Sequence, residues 1–196
     1  MSDGFFFWYT EPFARDGVER VLGALETQGV HLAHPESNAI TVITNGPDSW
    51  GEQLQVSRAE LVELLTLRDR AELNFQLWLN DETDMFTRFR RVSDRGLVVE
   101  FGLDGMWHAE REAAIRAVSL VVDAERARTF GVVVDRRGLT EEMDWDGLVL
   151  GRPVVVAEWP DMLEVRPEVA AEHAQLRSVH RNVERPLVTY RSGADD

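Results

Sequence analysis

The sequence predicts an α+β fold. Its expected centre is an antiparallel or mixed sheet built on a three-stranded meander at about 72–103, packed against a long helix at about 106–128. Alternation is the first reason. Leu73, Phe75, Leu77 and Leu79 interleave with Asn74, Gln76, Trp78 and Asn80, the two-residue period of a half-buried strand. The second reason is that two further apolar segments, 85–92 and 97–103, follow across the short polar turns Asp81-Glu82-Thr83 and Ser93-Asp94-Arg95-Gly96. The third is a helical stripe of Ala113, Ala117, Leu120, Ala124 and Ala127, broadened by Ile115, Val118 and Val122. Strands that alternate with hairpins and helices fit α+β better than a doubly wound parallel sheet.

The remaining elements follow in order. Phe5-Phe6-Phe7-Trp8-Tyr9 is too short to span a membrane and reads as a buried strand over 5–10. Asp16 is expected to cap a helix that runs to about Gln28, with Val18, Val21, Leu22 and Leu25 on one stripe and Gly29 as its stop. A strand at 39–44 leads into a turn through Asn45-Gly46-Pro47-Asp48, and 53–56 is a short strand. Ser57-Arg58-Ala59-Glu60 has the capping-box pattern and starts a helix expected to reach Arg70.

Within the meander, pairing Leu79 with Met85 brings Phe75 opposite Phe89 and Trp78 opposite Phe86; a one-residue slip would put Arg88 beside Leu77 on the core face. After the long helix, 131–135 is a buried strand, 136–138 a turn, 140–145 a single helical turn and 154–158 a strand. Pro167 then opens a helix over 168–182, and closing strands complete the order. The first six elements have the order of a split βαβ unit. One globular domain is expected over 1–191, with a disordered tail at 192–196.

Composition removes whole classes of chemistry. The chain has no lysine and no cysteine, so phosphate-gripping or Schiff-base lysines, thiolate nucleophiles, zinc knuckles and iron–sulfur clusters are all excluded. No G-x-S-x-G elbow and no G-x-G-x-x-G fingerprint occurs, and no cofactor is expected. Arginine at every basic position, with many Ala, Val, Gly and Glu, fits a G+C-rich bacterial genome. With 35 acidic residues against 21 arginines the net charge is −14, divided evenly between residues 1–98 and 99–196. That field repels nucleic acid and anionic membrane, and it favours either a cationic partner or plain solubility. Without a basic n-region or a long apolar run, a cytoplasmic location is expected.

Three groups of residues invite chemistry. Asp135, Asp144 and Asp146, near Glu141 and Glu142, form the densest carboxylate cluster, with a divalent ion as one reading and a solvated helix start as the other. His31 and His34 lie three apart, but Gly29 and Pro35 argue against the helix that would aim both at one metal. His173 and His180 are two turns apart, too far to share one, and His108 with Glu112 has i,i+4 spacing for an acid–base or surface pair.

The outer face of the meander is the remaining feature. Trp78, Phe86, Arg88, Arg90 and Glu100 share it, with Arg88 or Arg90 able to reach Glu100 across the strands, and the alternative is that the 168–182 helix covers them. The resulting expectation is an acidic protein-binding domain, immunity- or antidote-like, that meets a basic partner through Trp78, Phe86, Trp145 or Trp50. The alternatives are a carboxylate- or metal-dependent enzyme and a homo-oligomer joined through the Trp78 face.

Overall fold

In the computed structural model, which describes residues 4–45, 49, 51–179, 181–184 and 186–192, the apolar run Phe5–Thr10 (β1) lies inside the sheet rather than at its edge. The reason is burial on both sides. Phe6 and Trp8 enter one core while Phe5 and Tyr9 enter another, so neither face of the strand tolerates water. Helix α1 (Arg15–Thr27) follows, then β2 (Ile40–Ile43), β3 (Gln53–Val56) and helix α2 (Arg58–Thr66). The meander is β4 (Glu72–Trp78), β5 (Asp84–Ser93) and β6 (Gly96–Gly102). Helix α3 (His108–Ala124) and a 3₁₀ turn (Arg126–Arg128) lead to β7 (Thr129–Asp135), α4 (Trp145–Val149) and β8 (Met162–Val165). Helices α5 (Pro167–Glu172) and α6 (Ala174–Arg177) precede β9 (Asn182–Glu184) and β10 (Leu187–Arg191).

Among the described residues these strands form one ten-stranded sheet in the order β3-β2-β4-β5-β6-β1-β7-β8-β10-β9. Every named pairing is antiparallel. The α+β class and the meander are therefore present, within a sheet much wider than the meander alone. The split βαβ arrangement of the first six elements is not formed: three strands, β4, β5 and β6, stand between β1 and β2, and β3 lies outside β2 at the sheet edge instead of between them. Here β1 takes antiparallel partners on both sides, Trp8 standing opposite Val99 of β6 and Val132 of β7.

The sheet separates two apolar layers. On one face α1, α2 and α3 bury Val18, Leu22, Leu61, Val118 and Val122 against Trp8, Phe75, Phe89 and Phe101. On the other, α4, α5 and α6 bury Trp145, Leu148, Ala170 and Leu176 against Tyr9, Val133, Leu163 and Tyr190. This second layer covers β1, β7, β8 and β10. On β5 and β6 the same face carries Phe86, Arg88, Arg90 and Glu100, and the helical region at 167–177 packs on β10 instead of reaching them.

Several boundaries move for identifiable reasons. The meander register is Leu77 opposite Met85 and Leu73 opposite Phe89, two residues from the expected pairing, so inside and outside faces are preserved. The shift comes from the tip. Asn80 Oδ1 accepts from the N–H groups of Glu82 and Thr83, and Leu79 N–H donates to Thr83, which centres the turn on 80–82. In α1 the cap position is Ala14, with Asp16 inside the first turn, while Gly29 adopts the left-handed conformation expected of a helix stop. Helix α2 begins with the capping box at Ser57 and Glu60 but ends at Thr66, where Leu67 turns extended.

Helix α3 is shorter at both ends than 106–128, and its buried arc is Ala114, Ile115, Ala117, Val118, Val121 and Val122; Leu120 is half exposed, and Ala113, Ala124 and Ala127 face outward. The 154–158 segment forms no strand. His173 Nε2 lies 2.7 Å from the Val154 carbonyl, and Gln175 bonds both the N–H and the carbonyl of Val156, so side chains replace a neighbouring strand. The predicted helix over 168–182 is broken at His173, which is extended, and its last residue, Asn182, opens β9. Gly46, Pro47 and Asp48 of the expected turn, Trp50, His180 and residues 193–196 of the expected tail lie outside the described residues.

Candidate functional site

Where the second helical layer stops, the uncovered face of β5 and β6 meets the flank of β1 and the loop before α4 and leaves a cleft of about 460 Å³. Its floor comes from the strand alternation. Phe5, Phe7 and Tyr9 project from β1, Phe86, Arg88 and Arg90 from β5, and Glu100 from β6. The wall is Glu141, Met143, Asp144, Trp145 and Asp146. That loop is held in place by Asp135 at the end of β7. Its carboxylate accepts from the N–H groups of Arg137 and Thr140 and from the Thr140 hydroxyl, at 2.7–2.9 Å. Trp145 adds a bond from its indole N–H to the Thr140 carbonyl.

Arg90 is the hub. Its Nε lies 2.8 Å from Glu100, and its two terminal nitrogens grip Asp146 at 2.6 and 3.1 Å. Tyr9 donates its hydroxyl to the same Asp146 at 2.9 Å, and Arg88 reaches Glu100 at 3.4 Å while resting over the Phe86 ring. Burial foremost, then the Asp146 charge, pushes the Tyr9 hydroxyl far above its ordinary range, so it stays a donor. For Arg90, burial acts downward, but the Asp146 hydrogen bonds and the charges of Glu100 and Asp146 outweigh it and raise the guanidinium above its ordinary value. The network thus clamps the α4 loop to the sheet as two arginines with two carboxylates.

Beyond that balanced network, the lining carries three more acids, Asp104, Glu141 and Asp144. The cleft is therefore acidic at its rim and aromatic along its floor, with Phe86 about one-third exposed. Such a surface attracts a cation and offers rings for it to rest on.

Of the residues singled out from sequence, Phe86, Arg88, Arg90, Glu100, Trp145, Asp144 and Asp146 are brought together here. Trp145 contributes as a buried wall, 2% exposed, within the second core. Trp78 shares the strand face but sits at its end, stacked edge-on to His34 at 4.3 Å, away from the cleft. Asp135, Asp144 and Asp146 do not converge: Asp135 holds its own loop, Asp144 caps α4 at Gly147, and Asp146 serves Tyr9 and Arg90. Among the described residues, no three His, Cys, Asp or Glu side chains are placed to share a metal ion.

Elsewhere, Glu112 pairs with Arg136 at 2.6 Å, and His34 Nδ1 accepts from the N–H groups of Glu36 and Ser37. Tyr9, Phe7 and Asp104 were missed from sequence. The alternation along β1 places Tyr9 on one side of its strand, but which side faces a site depends on its sheet partners. No helix among the described residues is long and apolar enough to cross a membrane. In comparisons with known proteins, no family model matches the chain, and neither a curated protein nor a solved structure is significantly similar to it.

Proposed function

We propose that the protein is a binding module for a basic protein partner, of the immunity or antidote type, and that the cleft between the meander and the α4 loop is its docking site. The observation that carries this reading is the composition of the lining, in which five acids and two arginines surround an aromatic floor. A net charge of −14 steers a cationic partner toward the molecule at long range. Phe86 and Phe7 then supply contact area for an arginine or lysine stem, and Glu141 receives its charge.

The clamp on Arg90 keeps this surface rigid before the partner arrives, which limits the ordering cost of association. The same field disfavours nucleic acid and anionic membrane as partners. The test is capture from a bacterial lysate with the tagged protein and with an E141R/F86A variant. The expected result is a stoichiometric basic protein that the parent retains at low salt, releases at high salt, and that the variant does not retain. Retention by the variant, or retention indifferent to salt, would overturn the reading.

A further inference from the structure

A second cleft, of about 1100 Å³, lies past the C-terminal ends of β1 and β5, beyond the acidic one, whose lining runs along these strands as far as Tyr9 and Arg90. This cleft is lined by Arg68 just after α2, Arg91 and Arg95 at the β5–β6 turn, and Arg166 just after β8. Three separate parts of the chain thus deliver guanidinium groups to one place. Among the described residues none of these four is ion-paired: Arg91 bonds the Leu67 carbonyl, and Arg166 rests over the Phe130 ring at 4.1 Å. Only two carboxylates line the cleft, and one of them, Glu11, faces Arg128 at 3.9 Å.

In a chain with 35 acids to 21 arginines, four guanidiniums gathered without carboxylate partners leave a local positive field inside a negative molecule. Guanidinium forks match phosphate and carboxylate oxygens in pairs. A monoanion would meet the repulsion of the whole protein with little return, whereas a ligand with several charges can engage several forks at once. The aromatic rings here are buried, Phe13 7% and Phe130 9% exposed, and each faces a guanidinium, Arg128 at 4.8 Å and Arg166 at 4.1 Å, so they offer no open face for a base. Recognition rests on charge and on oxygen geometry.

We propose that this cleft binds an oligophosphate group, free or carried by a nucleotide. The site stands independently of the partner-binding reading, because it shares no residue with the acidic cleft.

The experiment is calorimetric titration with sodium tripolyphosphate at fixed ionic strength, with ATP and citrate as parallel ligands. The parent is compared with R68E/R95E and with R137E/R177E, a control of equal charge change at exposed arginines outside the cleft. Circular dichroism establishes that all three are folded. Saturable binding of tripolyphosphate that weakens about tenfold or more in the cleft variant and holds in the control is expected. Tighter binding of ATP than of tripolyphosphate would identify a nucleotide as the source, and equal or weaker binding a free oligophosphate. No binding by the parent, equal loss in both variants, or citrate binding as tightly as tripolyphosphate would overturn the proposal.

Discussion

Arg90 is the residue on which the acidic cleft depends, because it separates two carboxylates that would otherwise face each other across the floor. Its side chain is about one-quarter exposed, so part of its interaction is screened by water. Replacing it with leucine leaves Glu100 and Asp146 without their shared cation, and a loss of about 2 kcal/mol in unfolding free energy is expected by denaturant titration. Tyr9→Phe removes one donor to Asp146 while keeping the buried ring, so a smaller loss, about 1 kcal/mol, is expected. If both variants matched the parent in stability, the clamp would contribute nothing to the fold. Gly4, at the mouth of the cleft, has φ of +96°, and a Cβ there would stand 2.6 Å from the Arg136 carbonyl oxygen. Backbone cannot swing away as a side chain can, so Gly4→Ala is strained twice over, by conformation and by contact.

At the scale of elements, α2 and α3 show what a sequence pattern can carry. The capping box at Ser57 is complete, with Glu60 N–H donating to the serine and Ser57 N–H donating to the glutamate. Ser57→Ala should cost about 1 kcal/mol, read as a lowered melting temperature. In α3 the residue types are right but the rotation is not. The alanine stripe 113-117-120-124 looks inward on a helical wheel, yet the wider Val-Ile arc one position along takes the core. Leu120→Gln should therefore change stability by less than about 0.5 kcal/mol, whereas Val121→Ala should cost about 2 kcal/mol; reversed values would mean the helix is turned the other way. The meander, β1 and the capping box were legible because strand alternation and capping are local. Which face of β1 lines a site, the break at His173, and the side-chain clasp on Val154 and Val156 are set by contacts far apart in sequence. For the same reason Phe86, Arg88, Arg90 and Glu100 could be placed on one face from the meander alone, while the α4 loop that makes this face a cleft could not.

Across the whole molecule, charge divides into an acidic cleft along β1 and a basic one past its C-terminal end, and stability responds to pH in two opposing ways. Three glutamates are held below their ordinary range. Glu60 is lowered by the Ser57 N–H and hydroxyl, Glu110 by Thr83 first and then by Trp107 N–H and Asn80, and Glu112 by its hydrogen bond from Arg136, against some burial. A carboxyl depressed in the folded state contributes stability above its unfolded value, near 4.5, and loses it as the pH falls through the folded value. The self-repulsion of 14 net negative charges acts the other way at neutral pH, and it fades as the first surface carboxylates take up protons. Stability should therefore hold or rise slightly from neutrality toward about pH 5. Below about 4.5 it should fall, because the unfolded chain takes up protons that these glutamates resist in the folded state until the pH passes their lowered values, while 21 arginines repel one another with less and less compensation. Denaturant titrations across this range check the shape. The paired variant E110Q/E112Q checks the cause, since it removes two of the three depressed carboxyls and should flatten the acid limb while added salt still raises the neutral-pH melting temperature by screening. An acid limb of unchanged slope in that variant would assign the loss to net charge alone and leave the Glu112–Arg136 tie between α3 and the end of β7 without a role in it.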